Sequence, residues 1–255
     1  MDRTAFDIGD LVPVQTEREL PWWSKSRVVR KRSLNADRII EAGMTLLDRD
    51  GLDGLSMRRL GAELGSGATS IYWHVPNKDA LLDLLVDRLM EEANAATRNA
   101  PGSTWRAELA ADAMALRVVL ERHAAAAVLL STRAPVGPEG LRFMEGVMSA
   151  LADAGFGGRQ RALAYAALTG YTIGQVILEQ RRAPTDRRPR SATGNQLQRL
   201  GILLRGVPRG RFPGVFESAA DLAELTDEEA FEYGLQRMLD GLEAELRPVN
   251  PRRRL

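Results

Sequence analysis

The sequence predicts an all-α protein, with an N-terminal three-helix head joined by a connecting helix to a larger helical body. Apolar residues recur at helical spacing along most of the chain, and no run with a two-residue period is long enough to suggest a sheet. With 255 residues and 44% hydrophobic composition, the chain can bury a substantial core. The expected divisions are an arm at 1–32, the head at 33–78, the body at 79–247 and a basic tail at 248–255.

Composition restricts the classes of function. The formal net charge is only +1, so any nucleic acid must be bound by a local basic face. The chain has no cysteine, which excludes disulfides, thiolate metal sites and thiol nucleophiles and fits a reducing compartment. Residues 1–15 lack the apolar core of a signal peptide, and no apolar run could span a bilayer. We therefore expect a cytoplasmic protein with no membrane partner.

The N-terminal arm shows no sustained period. We expect its Trp22 and Trp23 to pack against protein, because duplex DNA offers no free base faces. The basic cluster that follows is either an arm for the minor groove and flanking phosphates or a solvated tail without fixed contacts. This cluster consists of Lys25, Arg27, Arg30, Lys31 and Arg32.

The head begins at a capping residue. Asn35 can accept a hydrogen bond from a first-turn N–H, and the first helix is expected to stop at Asp50 and Gly51. Its buried side carries Ile39, Ile40, Met44 and Leu47.

A helix-turn-helix follows. Ser56 can cap the next helix, and Gly65 ends it as a residue that is free to take a positive φ. The short helix 68–73 then places Ile71 against the core. Pro76 breaks the chain, and Asn77 can cap the connecting helix. The side chains left facing outward or toward the rim are Thr69, Ser70, Tyr72 and His74.

The body is predicted to contain five more helices, one of them a short alanine-rich segment. Ala166, Gly170 and Gly174 recur at four-residue intervals, which lets another helix approach closely and favours a dimer seam. The apolar stripe of the last helix, which opens with a capping box at 226–229, belongs either to that dimer interface or to the internal core. The expected helices are 78–97, 105–123, a segment ending near 131, 138–155, 159–182 and one after Thr226, with loops at 183–195 and 206–214.

Residues Ile71 to Lys78 read IYWHVPNK. Upstream, Ile39, Ala42, Leu46 and residues 51–55 stand in the order and spacing of one known family, and the helix at 164–180 looks like the corresponding helix there. This chain thereby resembles the tetracycline-repressor family of transcription regulators. The resemblance implies a homodimeric repressor that binds a pseudopalindromic operator in double-stranded DNA and is released by a small molecule. It implies more loosely an antibiotic- or polyketide-like effector and control of an exporter or resistance gene.

The resemblance also assigns roles in the head. It implies that Thr69 and Ser70 face base edges, that Tyr72, His74 and Lys78 face the backbone, and that Arg58 reaches a base or phosphate. Independently of the family, 68–73 contains no Arg, Asn or Gln for bidentate base contacts. We therefore expect Arg58 and the basic arm to supply much of the affinity or specificity. Alternatively, His74 makes only a local hydrogen bond at the helix end.

In the body, aromatic and methionine side chains with a few polar groups suit a flat, mostly apolar ligand. Each of them could equally be ordinary bundle core. Tetracycline repressors hold magnesium with a histidine in a segment like 128–133, and Leu129 stands at that position here, so we predict a ligand without metal or cofactor. The candidate lining residues are Trp105, Met114, Phe143, Met148, Tyr165, Thr169, Tyr171 and Gln175.

Two alternatives remain open at this stage. One is a DNA-binding regulator controlled by a protein partner and not by a small ligand. The other is an α-helical enzyme, which is disfavoured because the chain has no cysteine, no metal-ligand cluster, no phosphate-binding glycine loop and only two histidines. No catalytic residue is predicted.

Overall fold

The described residues of the computed structural model are helical, without a strand among them, which confirms the predicted fold class. The structure describes residues 35–66, 68–97, 104–123, 125–182, 207 and 209–246. No helix in these ranges is long and apolar enough to cross a membrane. The helices are α1 (Ala36–Gly54), α2 (Met57–Glu63), α3 (Ala68–Tyr72), α4 (Lys78–Thr97), α5 (Trp105–Arg122), α6 (Ala126–Thr132), α7 (Pro138–Asp153), α8 (Gly158–Arg182), α9 (Pro213–Glu217), α10 (Ala219–Glu224) and α11 (Asp227–Leu246).

The head is α1 to α3, held by the predicted caps. The Asn35 side chain accepts a hydrogen bond from the Arg38 N–H, at 2.9 Å. Gly51 has φ 70° and interrupts α1, but helical geometry resumes as far as Gly54. The predicted stop at Asp50 and Gly51 therefore marked a kink and not the end of the helix. A glycine is suited to this kink because other residues are strained at positive φ.

The connecting helix α4 lies between head and body. The Asn77 side chain accepts a hydrogen bond from the Ala80 N–H at 2.8 Å, as the sequence predicted. Leu81, Leu85 and Leu89 are fully enclosed along one side of the helix. Since α4 packs against α1, α5, α6 and α7, a shift of this helix would be felt in both parts of the molecule.

Helix α7 carries two apolar stripes, and the structure buries only one of them. The buried side carries Phe143, Val147 and Ala150. The second stripe also recurs at helical spacing, as Leu141, Met144, Met148 and Leu151, but only Leu151 of these four is buried. Periodicity identifies a helix but cannot choose between two apolar faces, because the choice depends on the neighbouring helices.

The C-terminal part contains more helix than the sequence indicated. A 3₁₀ turn at Arg209–Arg211 and the short helices α9 and α10 lie where the Gly/Pro-rich loop and its continuation were expected. The capping box is confirmed, since Thr226 N–H donates to the Glu229 carboxylate at 2.8 Å and Glu229 N–H donates to the Thr226 hydroxyl at 3.1 Å. The arm at 1–32 with Trp22 and Trp23, the loop at 183–195 and the tail at 248–255 lie outside the described residues.

The apolar stripe of α11 is part of the internal core. Phe231 and Leu235 are 1% and 2% exposed within a single chain. The Tyr171 ring stacks on Phe231 with ring centroids 5.4 Å apart, and the Tyr171 hydroxyl donates to the Phe231 carbonyl at 2.8 Å. These contacts join α8 to α11 inside the protomer.

Candidate DNA-binding surface and ligand cavity

The recognition helix α3 is anchored to the head by its own short sequence. Ile71 and Val75 are fully buried, and the N–H groups of His74 and Val75 both donate to the Ile71 carbonyl, at 2.9 and 2.8 Å. Gly65, at φ 60°, ends the preceding helix, and Ser66 N–H donates to the Gly61 carbonyl at 3.0 Å. The tight turn and the apolar anchor together fix α3 at the surface of the head.

Several polar side chains on this surface are free to bind an external partner. Ser70, Tyr72, His74 and Arg58 are exposed, and within the described part of the chain none of their side chains makes a hydrogen bond or ion pair. Arg59 differs, since its guanidinium donates to the Gly54 carbonyl at 3.1 Å and lies 3.4 Å from the Asp50 carboxylate. Arg58 is therefore the better placed of the two arginines for contact with phosphate or base.

Lys78 is exposed, but its ammonium already donates a hydrogen bond to the Leu52 carbonyl at 3.3 Å. Sequence reasoning missed Trp73, which is 82% exposed beside Tyr72 and His74. Its position two residues after the buried Ile71 could have indicated an outward direction. The Thr69 side chain and the basic cluster at 25–32 lie outside what the structure describes, so their predicted DNA contacts stay predictions.

A cavity of about 350 Å³ lies in the body. This volume is at the lower end of the range for sites that enclose drug-sized ligands. Burial raises the pKa of the Tyr165 hydroxyl, which indicates a desolvating surface. Its lining comes from α4 to α8 and the loop between α6 and α7: Met90, Leu116, Leu130, Ser131, Thr132, Arg133, Ala134, Pro135, Phe143, Tyr165, Thr169 and Ile173.

Three of the eight predicted lining residues border this cavity, namely Phe143, Tyr165 and Thr169. The other five have different surroundings. Trp105 packs edge-on against Phe156, with ring centroids 5.6 Å apart, and Met114 packs on the core. Met148 lies on the outer side of α7. The Tyr171 hydroxyl donates to the Ala230 carbonyl at 3.1 Å and so ties α8 to α11, and Gln175 lies beside Tyr171 on α8.

Sequence reasoning missed the wall formed by 130–135. The sequence relates the overlapping segment 128–133 only to metal binding, and Leu129 in that segment is buried as a core residue. His123 is directed elsewhere, with Nδ1 2.9 Å from the Asp48 carboxylate and Nε2 3.2 Å from that of Glu92. A ligand without metal stays a prediction.

Arg133 connects the cavity to the connecting helix. It lines the cavity, and its guanidinium donates to the Asp83 carboxylate at 2.6 Å and also pairs with the Asp79 carboxylate. Both aspartates lie in the first two turns of α4, immediately after the recognition helix. A molecule that displaced Arg133 would therefore act on the start of α4.

A surface helix-turn-helix on a helical body that contains a small cavity is the architecture expected of a DNA-binding regulator. Comparison with known proteins gives the family. Residues 39–85 match the model of bacterial regulatory proteins of the tetR family, and residues 99–246 match the tetracycline repressor-like C-terminal domain. The chain belongs to the tetracycline-repressor family of transcriptional regulators.

Individual relatives agree with this assignment. An HTH-type transcriptional regulator of Saccharopolyspora erythraea is 43% identical over 62% of this chain and 66% of its own length. The repressor DrrR1 of Streptomyces coeruleorubidus is 34% identical over 88% of this chain and 84% of its own. The structure of ActR from Streptomyces coelicolor with actinorhodin has a TM-score of 0.73 at 30% identity, covering 85% of this chain and all of that one. The protein is accordingly a transcriptional repressor of this family and not an enzyme.

Proposed function

We propose that this protein binds a pseudopalindromic operator in double-stranded DNA as a homodimer and is released by a small, mostly apolar, antibiotic- or polyketide-like effector. Residues 33–78 serve as the DNA-binding head, residues 79–247 bind the effector and the second protomer, and the controlled gene encodes an exporter or resistance protein. The observation that carries the proposal is a cavity whose wall residue Arg133 also holds the start of α4.

The free polar side chains of the head support operator binding. Two recognition helices of a dimer would enter successive major grooves, which requires a pseudopalindromic site. Arg58 supplies a guanidinium that has no partner among the described residues and can bind phosphate or guanine, and Tyr72 and His74 supply donors for the DNA backbone.

The outer face of α8 supports homodimer formation. A Cβ atom added at Gly170 or Gly174 would meet no atom within 4 Å among the residues that the structure describes, so in this part of the chain the small-residue stripe is open to another helix. Leu163 and Leu178 on the same helix are 58% and 46% exposed. Burying this stripe against its symmetry mate would remove apolar surface from water and let the two backbones approach closely.

The position of Arg133 supports a route for release. An effector in the cavity contacts the loop that carries Arg133, and the ion pairs of Arg133 with Asp79 and Asp83 transmit a change of that loop to α4. For release to occur, the effector must bind the DNA-incompetent arrangement more tightly. ActR, a protein of similar structure, is known in complex with the small molecule actinorhodin, which gives a precedent for ligand binding in this fold.

The test is a mobility shift with DNA that flanks the protein's own gene, at two salt concentrations, with and without aromatic compounds. We expect specific, salt-sensitive binding that a subset of compounds abolishes. Specific binding that no compound affects would favour control by a protein partner. Absence of specific binding, repeated with a library of random DNA sequences, would contradict operator recognition.

A further inference from the structure

Asp112 interrupts an apolar stripe on the interior face of α5. Trp105, Leu109, Asp112 and Leu116 follow one another at intervals of four, three and four residues, so their side chains share one face. Leu109 is fully buried, and Leu116 lines the cavity one turn after Asp112. Asp112 itself is only half-buried.

Asp112 also lacks a partner, unlike other acidic groups in the interior. Among the described residues its carboxylate makes no hydrogen bond or ion pair. The Asp87 carboxylate, which is also partly buried, accepts hydrogen bonds from the N–H groups of Glu139 and Gly140 at 2.8 and 3.1 Å. The Glu179 carboxylate is 2.9 Å from the Arg117 guanidinium. A desolvated carboxylate without such compensation is costly and uncommon.

The cavity offers no spare positive charge to this carboxylate. Its one charged lining residue, within the part of the chain that the structure describes, is Arg133, and the Asp79 and Asp83 carboxylates already balance it. Burial, with a smaller contribution from Glu108, raises the pKa of Asp112 to about 6. At neutral pH the carboxylate is therefore still mostly ionised, and it lies one helical turn before Leu116, which lines the mostly apolar cavity.

We infer that the effector carries a protonated amine, and that Asp112 pairs with this amine while the apolar body of the effector fills the cavity lined by Phe143, Tyr165 and Leu116. This inference rests on the proposed function for the existence of an effector and adds its charge class. An ammonium group would supply the missing partner, and a charge-assisted hydrogen bond in a desolvated site is stronger than a neutral one.

Three fluorescent probes of similar shape test the assignment. Each is a dansyl amide whose alkyl chain ends in an ammonium, an acetamide or a carboxylate group. We expect the full-length protein to bind the ammonium probe about tenfold more tightly than the acetamide probe. Asp112→Asn should remove this preference, and Asp112→Glu should retain part of it. Asp153→Asn makes the same chemical change at an exposed site on α7 and should retain all of it.

Several results of the probe measurement would contradict the pairing of Asp112 with an ammonium group. Equal affinity for the ammonium and acetamide probes, failure to bind the ammonium probe, or a preference that survives Asp112→Asn would overturn the inference. Preference for the carboxylate probe would also overturn it and would point to Arg133 as the residue that reads the ligand's charge. Because the fluorescence measurement contains no DNA, it is independent of the mobility shift: loss of operator binding alone would contradict only the proposed function.

Discussion

The head and the body place their polar groups in opposite ways. In the head, an apolar anchor at Ile71 holds α3 while Ser70, Tyr72 and His74 project into solvent without partners in the described chain. In the body, interior charges such as Arg117 and Glu179 compensate one another, at 2.9 Å. The head thus keeps its donors available for a highly charged polymer. The body must balance its own charges, so an unbalanced group such as Asp112 is conspicuous there.

Around α4, the junction of the two regions combines apolar packing of α4 against α1 with polar contacts. Asp48 on α1 is 2.9 Å from His123 at the end of α5, and Arg133 reaches Asp83 on α4 at 2.6 Å. Apolar packing alone would resist a shift of α4, because close-packed interiors adapt poorly to sliding. Polar contacts at the junction can be exchanged for contacts with water or ligand at lower net cost. The difference between the regions therefore suits a rigid DNA-binding head whose position depends on a more adaptable body.

The largest expected effect comes from disrupting the proposed homodimer, which involves both regions. Gly170→Glu places a charged side chain on the open stripe of α8, and we expect monomers in sedimentation velocity and operator affinity lower by on the order of 100-fold. Gly146→Glu is the matched control, because Gly146 on α7 also faces open space and lies off that stripe. A Gly170→Glu protein that stayed dimeric would place the seam on another face.

A change confined to the body should remove release while leaving the head intact. Thr169 lines the cavity, and Thr169→Phe fills part of its volume of about 350 Å³. We expect unchanged operator affinity, and a half-release concentration raised roughly 10- to 100-fold for whichever compound releases the wild type. Thr169→Val preserves the volume and should behave nearly as wild type. Normal release from Thr169→Phe would move the effector site away from this cavity.

A change confined to the head should weaken operator binding while leaving ligand binding in the body intact. Arg58→Ala removes a free guanidinium and should weaken operator binding by roughly 1–3 kcal/mol, with altered base preference or a smaller salt dependence. Arg59→Ala should cost less, since Arg59 already donates to the Gly54 carbonyl. Probe binding in the body should be the same in both variants. Operator affinity and base preference that survive Arg58→Ala would remove this residue from the DNA-binding surface.

The two regions also differ in how far sequence could predict them. The caps at Asn35, Asn77 and Thr226 and the positive φ at Gly65 follow from local chemistry, and the structure confirms them. The cavity depends on which of several apolar faces each neighbouring helix covers, which periodicity does not encode. For this reason α7 presents Phe143 and not Met148 to the interior, and the wall at 130–135 was overlooked. Asp112 could have been noticed as the one polar residue in the stripe of Trp105, Leu109 and Leu116.

The smallest expected effect concerns Asp112, whose carboxylate has no partner among the described residues. The folded state raises the pKa of Asp112 from its ordinary value of 3.8 to about 6, mainly through burial. The folded protein therefore holds this proton more tightly than the unfolded chain does. The resulting destabilisation is absent below the unfolded pKa, grows as the pH rises, and is complete above the folded pKa.

Asp112→Asn removes this penalty. We expect the variant to be more stable than wild type by about 1–3 kcal/mol near pH 8, with the difference declining through about pH 6 and vanishing near pH 4. Urea unfolding of both proteins across this range measures it, with Asp153→Asn at an exposed site of α7 as the control. A variant less stable than wild type at high pH would mean that Asp112 has a stabilising partner in the dimer. If the ammonium probe pairs with Asp112, saturating probe should stabilise the wild type more than Asp112→Asn, because only the wild type gains the missing partner.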